Sequence, residues 1–143
     1  MLSKGWIFVI MQFACIIYLL LELTIFQGVL AVFFQLVAIF LGLWAVYESR
    51  KGRLGILPEV LSNSRLLQTG PYRKIRHPMY SSLILFFLAA LLYSPSLTAT
   101  LVFILLTINL ILKLSYEEKL LLKEFPEYKQ YQEKTVRLIP FIY

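Results

Sequence analysis

The residues able to do chemistry in this chain gather in two places. One is the stretch from Arg65 to Tyr80, RLLQTGPYRKIRHPMY, which carries the only histidine, the turn signals Gly70-Pro71 and His77-Pro78, and four of the fourteen basic residues. Tyr72, His77 and Tyr80 add rings and hydrogen-bonding groups there. The other place is Lys113 followed one turn later by Glu117-Glu118. Together they offer cations, carboxylates, an imidazole and phenols beside strongly apolar sequence. That mixture suits an amphipathic ligand or a charged cofactor held at a membrane face. It does not suit a channel, whose polar groups continue through the span. Nor does it suit a transporter, which needs a midplane site and usually repeats.

Each feature taken singly has a plainer account. His77 beside Arg76 reads as a headgroup contact, and Glu117-Glu118 as solvated acids at a membrane exit. Tyr128 and Tyr131 read as interfacial anchors. Gly70-Pro71 reads as a turn. Metal chemistry has no cluster of Cys, His and Asp to use, since the chain holds one Cys, one His and no Asp. No Gly-rich strand-to-helix motif and no P-loop is present, so a bound cofactor is held some other way.

The elements that must position these groups are set by an uneven charge distribution. In 143 residues, one domain by size, hydrophobic residues make up 59% and charged residues 15%. Soluble domains carry about 25% charged residues. The first 47 residues hold only Lys4 and Glu22 as charges, and 78–112 holds none. These runs show no polar face, which reads as an integral membrane protein. The net charge of +6 sits beside apolar runs, where anionic lipid is a nearer partner than nucleic acid. Lys4 before an apolar run permits a signal peptide, but no small-x-small cleavage pattern follows, so the first helix is expected to stay.

Apolar stretches at about 5–26 and 29–47 are long enough to span and are expected to form a tight antiparallel hairpin about Gln27-Gly28. Cys15 lies within the first stretch as a core residue. Glu22 reads as a helix-terminal acid. Two further stretches, 79–92 and 97–112, flank a Tyr93-Ser94-Pro95-Ser96 turn. They are short: a 14-residue helix is about 21 Å long, and a re-entrant hairpin is their rival reading. The fourth is expected to continue as one amphipathic helix past Lys113, with Leu121, Leu122 and Phe125 facing the bundle until Pro126 ends it. The long connection 48–78 includes a possible interfacial segment. The apolar tail after Arg137 is expected to fold back on the protein or interface.

The expected fold is therefore all-α. It is a polytopic membrane protein with four transmembrane helices, a hairpin at 1–47 and a functional core at 64–141 within a single 1–143 domain. Basic residues at span ends, from Lys4 through Arg76 to Lys113, fall on one side of a four-span arrangement. The positive-inside rule then puts both termini and the polar loop in the cytoplasm.

The string Gly70-Pro71-Tyr72-x-x-x-Arg76-His77-Pro78-x-Tyr80 resembles the signature of the isoprenylcysteine carboxyl methyltransferase family and its bacterial relatives. So does Glu117-Glu118-x-x-Leu121-x-x-x-Phe125, and Tyr128-x-x-Tyr131 with Arg137-x-Ile139-Pro140 resembles the family's end. The resemblance covers about 64–141. It implies a membrane methyltransferase that uses S-adenosylmethionine and a lipid-like or prenylated acceptor. It implies Ser64, Arg65, Leu66, Leu67, Tyr72, His77, Tyr80, Glu117 and Glu118 as cofactor-binding residues, with Arg76, His77 and Glu117 at the reaction centre. The family's substrate-side arginine is Lys113 here, which keeps the charge and loses the bidentate fork. The small size resembles the minimal bacterial form and so implies a bacterial inner membrane.

A carboxylate acceptor is already ionised at neutral pH and needs alignment and desolvation rather than a strong base. His77 is then expected to orient the cofactor. An amine acceptor gives His77 or Glu117 the work of a base. Phospholipid or small-amphiphile N-methylation is thus the enzymatic alternative, and a structural membrane protein without cofactor is the non-enzymatic one. Oligomeric state is left open.

Overall fold

The computed structural model describes residues 4–52 and 65–139. Residues 53–64, which include Ser64 and the stretch expected at the interface, and the tail beyond Ile139 lie outside the described residues. Within them the chain is helical, with no strand. Helix α1 spans Lys4–Glu22, α2 Val29–Gly52, α3 Pro78–Tyr93, α4 Leu97–Glu124 and α5 Tyr128–Lys134. A single 3-10 turn, Gly70–Arg73, precedes α3.

Helices α1, α2 and α4 are long and apolar enough to cross a membrane. The fourth expected span, α3, is shorter at 16 residues, or about 24 Å at 1.5 Å per residue. Large apolar side chains such as Ile7, Ile17, Leu30, Phe40 and Leu101 face outward on the long helices. Outward apolar surface on this scale is what lipid covers.

Local sequence sets the helix ends. Pro78 opens α3 at a position where its missing N–H costs nothing. Ser96 caps α4 by accepting the Ala99 N–H. Glu22 accepts hydrogen bonds from Ser96 Oγ at 2.9 Å and Thr98 Oγ1 at 3.0 Å, so this acid sits against the positive end of the α4 dipole. Pro126 stops α4 at Phe125. At 28 residues, α4 is about 42 Å long, longer than the roughly 30 Å hydrocarbon core. Its Lys113–Glu124 end carries the charged residues out of the apolar run.

The packing differs from a tight first hairpin. α1 lies chiefly on α4, and α2 chiefly on α3. Residue size explains the second pairing: a Cβ on Gly42 would stand 2.9 Å from Ser82 Oγ, so glycine lets α2 and α3 approach closely. The main core joins α1, α3 and α4 through Leu19, Phe87, Ala90, Leu106, Leu110 and Leu114. Cys15 is buried in it, as expected. Two amides cross between α1 and α4, Asn109 donating to the Phe8 carbonyl at 3.1 Å and Gln12 accepting from Lys113 at 3.0 Å.

As far as it is described, to Ile139, the C-terminal segment folds back on the protein. Val136 pairs with Ile75 in a short parallel bridge. The Arg76 and His77 N–H groups donate to Val136 and Arg137, and the Val136 N–H donates to Lys74. Ser81 Oγ donates to the Leu138 carbonyl at 2.6 Å, and Leu138 is buried. Tyr128 and Tyr131 are not interfacial anchors: both are buried, with ring centroids 5.7 Å apart, and the Tyr131 hydroxyl donates to the Tyr72 carbonyl. Of the residues expected to face the bundle from the end of α4, Leu121 and Phe125 are half-buried, whereas Leu122 is exposed. The inward position of that turn is taken by Glu118.

Burial pushes the phenols of Tyr72, Tyr128 and Tyr131 well above their ordinary range. At Tyr72 the Tyr131 phenol and then Glu117 add to this, while at Tyr128 and Tyr131 Glu118 adds to it and Arg76 opposes it. These groups stay protonated in the fold while the unfolded chain ionises near the usual value of about 10. The unfolded state then binds fewer protons, so stability is whole below that pH and falls as pH rises above it. Thermal unfolding in detergent should show a melting temperature that drops from pH 10 upward. Tyr131→Phe should melt lower throughout, with a shallower alkaline slope.

Candidate active site

The site is built where the loop before α3 meets the emerging end of α4. The 3-10 turn Gly70–Arg73 docks on α2. Gly70 has φ +56, and a Cβ there would lie 2.6 Å from Glu48 Cγ. Only glycine is free of strain in that backbone region. Glu48, buried at the end of α2, accepts from Thr69 Oγ1 and Lys51 Nζ, each at 2.7 Å. Leu67, Ala45 and Tyr72 pack into a small second core beneath this turn. Arg65 is exposed and Leu66 half-buried at the same edge, and the Arg65 N–H donates to the Gly52 carbonyl.

The turn delivers Arg76 and His77 to two adjacent acids. Arg76 Nε donates to Glu118 Oε1 at 2.7 Å. Its Nη1 donates to the Gln132 and Thr135 carbonyls and to Thr135 Oγ1, filling orphan acceptors at the end of α5. Glu118 is 3% exposed and also meets Arg137 Nε at 3.2 Å and Gln132 Nε2 at 3.3 Å. Two guanidiniums and an amide thus surround this carboxylate.

His77 lies between the acids. Its Nε2 is 3.3 Å from Glu118 Oε1 and its Nδ1 is 3.5 Å from Glu117 Oε2. Whichever nitrogen bears the proton, a carboxylate faces it. The imidazole stacks on Tyr80, with centroids 5.5 Å apart and planes 2° from parallel. The Tyr80 hydroxyl donates to Glu117 Oε1 at 2.6 Å. Glu117 differs from its neighbour in keeping a 15% exposed side chain. Lys113 completes the group: its Nζ lies 5.2 Å from the Tyr80 ring centroid and donates to Gln12.

Of the expected residues, Arg76, His77, Tyr80, Glu117, Glu118 and Lys113 form one connected cluster. Tyr72 adjoins it through Tyr131, while Arg65, Leu66 and Leu67 stand at its α2 edge. Among the described residues no group of His, Cys and acids could hold a metal ion. Sequence reasoning missed Gln12, Glu48, Gln132 and Thr135. Gln12 left a signal, an amide inside an apolar run. Gln132 and Thr135 left none, because what they supply to Arg76 is largely backbone carbonyl.

An arginine so placed acts through geometry as well as charge. Arg76→Lys keeps the charge but forfeits most of these bonds, each worth about 1.5–3 kcal/mol when one partner is charged. Chemical denaturation in detergent should show a loss of that order, and hydrogen exchange should rise across 135–138 before it rises in α1.

Comparison with known proteins fits this arrangement. No curated protein matches the chain. The family model described as phospholipid methyltransferase matches residues 30–128, which is more than half of the sequence and runs from α2 to the start of α5. It takes in the whole stretch from the Gly70 turn through Arg76-His77 to Glu117-Glu118. On that match the chain belongs to the phospholipid methyltransferase family.

Proposed function

We propose that this protein transfers a methyl group from S-adenosylmethionine to a lipid-like acceptor at the membrane–cytoplasm interface. The observation that carries the reading is the Glu117 carboxylate, anchored by Tyr80, facing His77 and still open. When bound, the cofactor supplies an electrophilic methyl group on a sulfonium. The donor set fits such a molecule. Glu117 would take its ammonium, and the rings of Tyr72 and Tyr80 would offer flat walls to its adenine. His77 would orient it. Arg65 and Leu66 would border it at the α2 edge.

In this reading Arg76 and Glu118 are positioning residues, because each already spends its bonds on the other and on the C-terminal segment. Tyr80 holds Glu117 and, through stacking, His77. Lys113 would attract an anionic group of the acceptor. The acceptor reaches the site from lipid, the cofactor from the cytoplasm, across four membrane crossings that include the short α3. Water is excluded by the apolar faces of α3 and α4 around the polar cluster, which favours attack by a desolvated nucleophile.

Two acceptors meet these requirements. A carboxylate, as in isoprenylcysteine O-methylation, brings its own charged nucleophile. A phospholipid amine accords with the description of the matched family, and there His77, backed by Glu117, would receive the proton an ammonium must lose before it attacks. Purified protein given labelled cofactor with a prenylated cysteine or with an amine-bearing phospholipid separates them by which one becomes labelled.

Calorimetry in detergent tests the cofactor site itself. Glu117→Gln should weaken S-adenosylmethionine binding by about 10- to 150-fold, the equivalent of one charged hydrogen bond. His77→Ala should weaken it less and slow turnover more. Binding undiminished in both variants would remove Glu117 and His77 from the cofactor site.

A further inference from the structure

Helix α1 lies outside the residues that the family model matches, yet it reaches the site at one point. Gln12 is 8% exposed and Lys113 is 1% exposed, and Gln12 Oε1 accepts from Lys113 Nζ at 3.0 Å. An ammonium has three donors. Here one meets a neutral amide and the charge lies over the face of Tyr80. Among the described residues no carboxylate comes within 4.0 Å of Lys113. Its nearest counter-charge is Glu117, which acts through space and spends one oxygen on Tyr80. A buried charge this lightly paired is costly unless something else completes it.

We infer that Gln12 is a positioning residue for the acceptor: it aims the Lys113 ammonium, leaving two donors for the anionic oxygens of an amphiphile. The inference rests on the methyl-transfer reading and adds α1 to the acceptor site. A neutral amide is the right partner for this work. It fixes the direction of the stem without cancelling the charge, whereas a carboxylate at position 12 would satisfy Lys113 permanently. The ligand chemistry is an oxyanion on an apolar chain, which a lipid carboxylate and a phosphodiester both provide.

The test uses the full chain in a non-ionic detergent and needs no turnover. Binding of dodecanoate, dodecyl phosphate and dodecanol is measured for the wild type, Gln12→Leu and Gln12→Glu. The wild type should bind one or both anions at least about tenfold more tightly than the alcohol, the scale of one charge-assisted hydrogen bond. The preferred anion tells carboxylate from phosphate. Gln12→Glu should lose that preference while melting no lower than the wild type, and Gln12→Leu should lose part of it. In turnover assays the acceptor KM should rise in both variants, with the affinity for S-adenosylmethionine unchanged.

A merely structural Gln12 gives the opposite pattern, since glutamate is the better partner for a lysine and would leave anion binding intact. Equal binding of alcohol and anions by the wild type, or full anion preference in Gln12→Glu, overturns the inference. Should Gln12→Glu fail to fold, Gln12→Leu decides alone, full anion preference there counting against the inference. Cofactor binding measured on the same samples is a separate readout: its absence in the wild type would sink the methyltransferase reading and leave the anion result standing.

Discussion

The rest of the site depends on one buried carboxylate. An ionised carboxylate taken out of water loses several kcal/mol unless charges and donors replace its hydration. Glu118 finds those replacements on three separate stretches: Arg76 and its neighbour His77 before α3, Gln132 on α5 and Arg137 beyond it. Satisfying one side chain therefore closes the polar loop and the C-terminal segment onto α4. Arg76 extends the closure by capping the end of α5 through the Gln132 and Thr135 carbonyls. Within such a network every bond polarises the next, and removing one member leaves the others wrongly charged. The clasp behaves as a unit, and the backbone bridge between Ile75 and Val136 forms inside it.

Two neighbouring acids could not both serve as the clasp. Successive helical residues point about 100° apart, so when Glu118 turns into the fold Glu117 must turn toward Tyr80. One acid is saturated and structural. The other holds a single phenol at 2.6 Å and keeps part of its surface open. His77, stacked on Tyr80 and flanked by both carboxylates, cannot rotate without breaking contacts on either side. His77 is thus held from two sides by side chains whose own positions are fixed by α3 and α4.

Much of this was legible in the sequence, and the reason differs by feature. The helices were readable because apolar runs and the breakers Pro78, Ser94-Pro95-Ser96 and Pro126 mark their ends locally. The meeting of Arg76-His77 with Glu117-Glu118 was readable because a helical pair joined by a short turn returns its ends to the same level. Partner choice was not readable. Whether α1 packs on α2 or on α4 depends on small residues such as Gly42 facing Ser82, and on amides such as Asn109 that meet a backbone carbonyl. The roles of Tyr128 and Tyr131 were misjudged for a related reason. Tyrosines near a membrane surface serve equally well as anchors or as core, and only the returning C-terminal segment buries them.

Lysine at position 113 follows from the same geometry. A guidinium fork is planar and asks for a flat, two-oxygen partner. Among the described residues the carboxylate that acts on Lys113 is Glu117, with one oxygen on Tyr80 and the other facing His77. An ammonium on a flexible stem asks for less. It can lie over the Tyr80 ring, where the quadrupole of the face attracts it, and direct one proton to Gln12. On the inference drawn for Gln12, the ammonium's remaining two protons are left for the oxyanion of an acceptor. A lysine here therefore gives up the bidentate fork for one carboxylate and keeps a compact charge whose donors can turn.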